Sequence, residues 1–316
     1  MPELPEVETI KKDLEKKIIG KKIIGVKIIQ KKSIKNSPNK FIKALKNNYA
    51  VSIGRKGKLL ILELNDKNYL LAHLRMTGQL VYRLELSIHA QNAPAGEQAF
   101  ARLHFEEEVR DNHTRAIPPR RSLSSEDCGE KSRNKHTRVI LCFEDRSRLY
   151  FNDLRRFGYL QIASGKEKDK ITEKMGVDAL CESFNLEILK KLFKDKKKTL
   201  KSLLLDQKII AGIGNIYADE ICFDAKLDPR RKVNELNDKK LQRLYNSIRK
   251  ILASAIKHRG TTFSDYIDAN GRKGNFAKFL KVYGREKENC KNCGKKSIQK
   301  IKLAGRATRF CGNCQR

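Results

Sequence analysis

The chain has 316 residues, with 69 Lys and Arg against 37 Asp and Glu, a formal net charge of +32. That length accommodates two domains with separate cores, and the basic excess points to a polyanionic partner, nucleic acid first. No apolar stretch reaches the roughly 18 residues of a membrane span and no leader pattern marks a signal peptide. The sequence is therefore read as cytoplasmic, and its eight cysteines as metal ligands or free thiols before disulfides.

The chain opens Met1-Pro-Glu-Leu-Pro-Glu-Val-Glu8. With Met1 removed, Pro2 presents a secondary amine, a nucleophile able to form an imine with a sugar or carbonyl carbon. An α-amino group titrates near 7.7–8.0, so a useful neutral fraction exists near pH 7. Glu3 is tethered beside it for acid–base work. Read alone, these acids equally suit the start of a helix.

From Glu6 to Ile19, Val7, Ile10, Leu14 and Ile18 recur at helical spacing, and Gly20 is a stop signal. Short apolar runs follow at Ile23–Ile29, Tyr49–Ile53, Leu59–Leu64 and Tyr69–Leu74, then at Arg138–Phe143, Arg148–Phe151 and Tyr159–Ala163. Turn signals at Asn36-Ser-Pro-Asn39 and Asn65-Asp66 separate them, which predicts a β-sandwich or barrel. Between the two groups of strands, residues 84–134 show no period and carry Pro94, Pro118, Pro119 and a serine cluster. That pattern predicts a solvated, disordered insertion. Ser164–Ser183 is charged and irregular and is read as a linker. Leu186–Phe193, Leu200–Leu205, Ile216–Phe223 and Asp238–Lys257 have helical spacing. Strands first and helices second predicts an α+β chain of two domains with a cleft between them.

Two local patterns carry chemistry. Ile210-Ala-Gly-Ile-Gly-Asn215 opens a helix, with Gly212 and Gly214 suited to close approach of a ligand phosphate or to packing. Cys290-Lys-Asn-Cys293 and Cys311-Gly-Asn-Cys314 are two CxxC pairs separated by a segment suited to a hairpin, the pattern of a closed four-thiolate zinc ribbon. Arg306 lies between the pairs as a candidate phosphate donor.

Pro2-Glu-Leu-Pro-Glu6, Gly57-Lys-Leu-Leu60, His73-Leu-Arg-Met-Thr-Gly78, Asp153-Leu-Arg-Arg-Phe-Gly158, Gly212-Ile-Gly-Asn-Ile-Tyr-Ala218, Val282-Tyr-Gly-Arg285 and the four cysteines run in order through the chain. Together they resemble the formamidopyrimidine-DNA glycosylase family over nearly the whole chain, the insertion excepted. The resemblance implies an N-terminal β-sandwich with a flanking helix (residues 1–163), a linker (164–184), a helix–two-turn–helix domain (185–285) and a zinc ribbon (286–316). It implies a base-excision repair enzyme, monomeric, acting on damaged double-stranded DNA, with one structural zinc ion. Pro2, Glu3 and Lys58 are then the catalytic residues: nucleophile, acid–base group and phosphate grip. Asn215 and Arg306 bind flanking phosphates. Met76, Arg155, Arg156 and Phe157 belong to the segments that enter the duplex, Arg155 facing the orphaned cytosine. An enzyme acting at C1′ has to take the nucleotide out of the stack, and apolar wedges offset the lost stacking.

The segment Asn270–Phe276 takes the place of the family's lesion-capping loop, where Gly271 and Gly274 predict mobility. Arg138 stands where a second histidine is expected, a change expected to affect local hydrogen bonding. Two other readings remain open here: an endonuclease VIII-type enzyme for oxidised pyrimidines, and a non-catalytic zinc-ribbon DNA-binding protein.

Overall fold

The computed structural model describes residues 1–84 and 133–316. Almost all of the 84–134 insertion therefore lies outside the described residues, and its expected disorder with it. Among the described residues no helix is long and apolar enough to cross a membrane.

Helix α1 (Leu4–Ile18) begins two residues earlier than its apolar period, because Pro5 is tolerated in a first helical turn. Two four-stranded antiparallel sheets follow. One has the order β1 (Ile23–Ile28), β6 (Thr137–Phe143), β7 (Ser147–Asp153), β5 (Gly78–Leu84). The other runs β2 (Ala50–Lys56), β3 (Leu59–Leu64), β4 (Tyr69–His73), β8 (Tyr159–Ala163). Leu60, Leu62 and Leu70 of one sheet and Val139, Leu141 and Phe151 of the other share one buried core. Val7, Ile10, Leu14 and Ile18 of α1 close it from the side, so the helical period of the first residues is spent on the sandwich.

Four elements lie outside the sequence expectation. Strand β5 was missed because Gly78 and Gln79 break its apolar run. Helix α2 (Pro38–Leu45) occupies what read as a turn: Ser37 precedes it as N-cap, and Pro38 lies in its first turn, where a missing N–H costs nothing. The expected linker holds helix α3 (Gly165–Thr172), started by a reciprocal Ser164–Glu167 capping box, and strand β9 (Val177–Asp178).

The second half is helical: α4 (Leu186–Phe193), α5 (Leu200–Leu205), α6 (Asn215–Asp224) and α7 (Asp238–Lys257). Between α5 and α6 the chain makes two turns. Gln207 stitches them, accepting from Gly212 N (2.9 Å) and donating to Ile213 O (2.7 Å). Strand β10 (Ile210–Ala211) lies in this turn and pairs in parallel with β9. The last element is the hairpin β11 (Gln299–Leu303) and β12 (Arg306–Phe310). Ile298 and Cys311, which flank it, share a small core with Phe223 of α6, Val282 and Cys290. Leu4, the first residue of α1, is buried in the helical core, while Val7 onward is buried in the sandwich core. One helix thus belongs to both halves.

Candidate active site

The start of α1 is inserted against the start of α6. Leu4 N donates to Gly212 O (3.1 Å). The Glu3 carboxylate accepts from Ile216 N (3.0 Å) and Tyr217 N (3.5 Å), two of the N–H groups that a helix start leaves without internal partners. Gly212 and Gly214 make this possible. A Cβ on Gly212 would stand 2.3 Å from Leu4 Cδ1, and one on Gly214 would stand 2.2 Å from Glu3 Cδ. The glycines read as a phosphate cradle or packing device are a seat for Leu4 and Glu3. Glu3 itself is 1% exposed, and Pro2 is buried beside it.

Glu6 lies one turn further on. Its carboxylate accepts from Glu3 N (2.8 Å), Thr261 N (2.7 Å) and Tyr217 OH (2.5 Å). Burial, with the charge of Glu3 second, pushes Glu6 up to about 7. Sequence reasoning gave Glu6 only a helix-start role; its three partners come from three separate segments, so no local signal marks it.

Lys58 occupies the two-residue turn between β2 and β3. Gly57 before it takes φ +57°, which a glycine adopts freely. Burial lowers the Lys58 ammonium from its usual value; Glu3 and Glu6 counter this, and Arg306 adds to it. The charges of Glu3 and Glu6 from one end of the chain and of Arg306 from the other thus all act on Lys58. His73, at the end of β4 across from Leu59, joins them. Its Nδ1 accepts the Arg75 N–H (3.1 Å), which leaves the ring proton on Nε2. Burial, then Arg75 and Lys58, hold its pKa down at about 4, so at neutral pH it is an uncharged donor beside Lys58.

Two loops carry the candidate wedge. Met76 is 37% exposed and Phe157 54%, so neither packs in a core. Leu154, 47% exposed, adds an apolar side chain that the sequence reading passed over. Arg155 and Arg156 are exposed, and the Arg155 guanidinium lies 5.0 Å from the centre of the Phe157 ring. The fully buried Asp153 ties the loops together: its carboxylate accepts from Thr77 Oγ1 and from Gly158 N (2.7 Å), while Thr77 Oγ1 accepts from Arg155 N (2.9 Å). Arg138 serves the same junction, donating from Nε to Asp153 O (2.9 Å).

Asn215 begins α6 and donates through Nδ2 to Ala307 O (3.2 Å), one residue from Arg306. The buried Lys201 donates to Ala307 O (3.0 Å) and Thr308 Oγ1 (2.9 Å) and pairs with Asp219 (2.6 Å). The hairpin bearing Arg306 is thereby fixed to α6. At its other end the sulfurs of Cys290, Cys293, Cys311 and Cys314 lie within 4.8 Å of one another, with pairs at 3.8 Å and 3.7 Å. Four thiolates about 2.3 Å from a tetrahedral ion stand about 3.8 Å apart, so the donor set fits zinc.

The segment Asn270–Phe276 starts from an anchored base. The buried Asp268 carboxylate accepts Asn270 N and Arg272 N (both 2.9 Å) and Arg259 Nε (2.8 Å). Tyr82 N donates to Ala269 O (2.8 Å), and Ala269 lies in the sandwich core. Gly274 is a contact residue, since a Cβ there would meet Gly260 O at 2.3 Å. These bonds anchor the base of the segment and Gly274, while a Cβ on Gly271 would meet nothing within 4 Å.

A family model for the formamidopyrimidine-DNA glycosylase N-terminal domain matches residues 1–160, and one for the formamidopyrimidine-DNA glycosylase H2TH domain matches residues 175–266. The chain belongs to the formamidopyrimidine-DNA glycosylase family. It is 36% identical to the formamidopyrimidine-DNA glycosylase of Desulforamulus reducens over 100% of this chain and 99% of the relative. It is 38% identical to that of Carboxydothermus hydrogenoformans over 100% of both. Among solved structures it is similar to a Lactococcus lactis FPG variant bound to Fapy-dG-containing DNA (31% identity, 100% of both chains, TM-score 0.79). Another is wild-type Lactococcus lactis FPG bound to DNA with an oxidised pyrimidine (31% identity, 100% of both chains, TM-score 0.78). The chain is thus a DNA glycosylase of base-excision repair, and the non-catalytic reading falls.

Proposed function

We propose that the chain removes oxidised purines from duplex DNA and then cuts the strand as a lyase, with Pro2 as nucleophile. The observation that carries this is the seat of Glu3: the carboxylate next to Pro2 is held by the first N–H groups of α6, and its charge acts on Lys58. Once Met1 is gone, the Pro2 nitrogen attacks C1′ and forms a C–N bond as the bond from C1′ to the base breaks. Glu3 protonates the ring oxygen, the sugar opens, and an iminium links C1′ to Pro2. The iminium acidifies the C2′–H bond. Loss of that proton expels the 3′ phosphate, and a second elimination expels the 5′ phosphate. Lys58 and the uncharged His73 grip the phosphate near the lesion, Asn215 and Arg306 its neighbours. Met76, Phe157 and Leu154 fill the gap in the stack. The test is borohydride trapping on an abasic duplex together with excision of oxidised guanine; an unmodified chain that traps nothing overturns the mechanism. A preference for oxidised pyrimidines has one observation in its favour, the Lactococcus lactis complex with such a lesion, and the same assay with both lesion types separates the two.

Two further outcomes are expected. Arg155→Ala loses the donor facing the base opposite the lesion, so discrimination among the four opposite bases falls by about 1–3 kcal/mol. Trapping on an abasic site, where no base has to be extruded, persists. Excision opposite all four bases measures this, and an unchanged preference removes the role from Arg155. The four cysteines hold a structural zinc ion in this reading, and Cys290→Ser opens the site. Metal analysis is expected to fall from about one zinc per chain, with DNA binding lost and the sandwich still folded; full zinc content in that variant excludes the assignment.

A further inference from the structure

Lys58 is placed by the turn it stands on, and that turn is held by a buried charge cluster outside the reacting groups. Asp178 of β9 offers four contacts. Its Oδ2 accepts from Arg55 Nη1 (2.5 Å) and Gly57 N (2.6 Å), and its Oδ1 accepts from Arg55 Nη2 (3.1 Å) and Leu180 N (3.0 Å). Arg55 in turn donates from Nη1 to Gly57 O (2.8 Å) and from Nε to Glu8 Oε2 (2.8 Å). Both polar groups of Gly57, the residue before Lys58, are therefore fixed, one by the carboxylate and one by the guanidinium. The side chains of Arg55 and Asp178 are only 7% and 6% exposed, so the fork is not the weak surface pair that solvent screens.

The cluster reaches the other catalytic group as well. Asp178 pairs in register with Ala211, next to Gly212, whose carbonyl receives Leu4 N, and two further residues on Gly214 seats Glu3. Glu8, the other partner of Arg55, lies on α1, whose first turn follows Glu3. A Cβ on Gly57 would stand 2.9 Å from Ala211 Cβ, so the turn is pressed directly onto β10.

We infer that Asp178, acting through Arg55 and Gly57, is a positioning residue that sets Lys58 at its working distance from Glu3. This rests on the function proposed above.

The test is a double-mutant cycle in single-turnover excision of oxidised guanine, with Asp178→Asn, Lys58→Ala and the pair. An asparagine keeps the volume, removes the charge facing Arg55 and leaves one oxygen for four donors. The expected result is at least a tenfold slower excision in Asp178→Asn, with affinity for an abasic-analogue duplex falling no further than it does in Lys58→Ala. Adding Asp178→Asn to Lys58→Ala is expected to slow excision by less than threefold further, because the positioned group is already gone. A purely structural role does not produce that non-additivity; two losses that multiply in full overturn the inference. If Asp178→Asn loses its fold by circular dichroism, Arg55→Lys takes its place, since it keeps the charge and loses the fork, and the same two outcomes apply. Borohydride trapping by the unmodified chain is the control: its failure strikes the function itself, whereas trapping with a multiplicative cycle strikes only the assignment of Asp178.

Discussion

A form of the chain that keeps Met1 is expected to give no borohydride-trapped adduct with abasic DNA. In that form the Pro2 nitrogen is an amide, its lone pair is delocalised into the carbonyl, and no imine forms. Excision of the damaged base is expected to fall more than about 10³-fold, roughly 4 kcal/mol of barrier. Affinity for duplex DNA is expected to hold, because the proposed function rests it on phosphate contacts from Lys58, Asn215 and Arg306. Mass spectrometry of the N-terminus, trapping and a binding titration on the same preparation decide the matter. An adduct from the retained-Met1 form removes Pro2 from the role of nucleophile and makes Lys58 the next candidate.

Gly214→Ala is expected to slow excision by about 10²-fold, although Gly214 reacts with nothing. Its Cβ would lie 2.2 Å from Glu3 Cδ and 2.5 Å from each carboxylate oxygen. Glu3 cannot retreat as a whole: its N–H is bonded to Glu6, and the next residue, Leu4, is fully buried. The carboxylate has to swing away from Ile216 and Tyr217. Misplacing a reacting group by about 1 Å costs on the order of 10² in rate. The N–H groups left without a partner cost about 1–3 kcal/mol in stability. Gly165→Ala, at the start of α3 with only Tyr69 Cε2 at 3.9 Å, is the matched control and is expected to be neutral. Excision rate and melting temperature measure both effects, and a Gly214→Ala enzyme at full rate shows that Glu3 does not need this seat.

The sequence made legible what is written in neighbours. Val7, Ile10, Leu14 and Ile18 announce one face of α1, and all four are buried. The two CxxC pairs announce four sulfurs that converge. Helix α2 was hidden because a serine and a proline start a helix as readily as a turn. Strand β5 carries too little β-branched character to stand out. The candidate wedge residues Met76 and Phe157 were legible only through a family resemblance, and both are exposed. Least visible were the partners of Glu3, Glu6 and Asp178. Glu3 meets Ile216, Glu6 meets Thr261, and Asp178 meets Gly57. No periodicity extends that far, and the glycines that allow the first of these contacts look like any other helix-start glycines.

Because α1 begins in one core and continues in another, the order of events during synthesis matters. The first residues leave the ribosome long before their partners: at about 5–20 residues per second, roughly 10–40 s separate Glu3 from Ile216. Until then the N-terminal end has no seat and remains open to an aminopeptidase. Once α6 docks, Leu4 is fully buried and its N–H is bonded to Gly212. If Pro2 is the nucleophile, a cell short of aminopeptidase would accumulate a folded, DNA-binding protein that stays inert while Met1, still 46% exposed, remains attached, and that blocks the lesions it cannot remove.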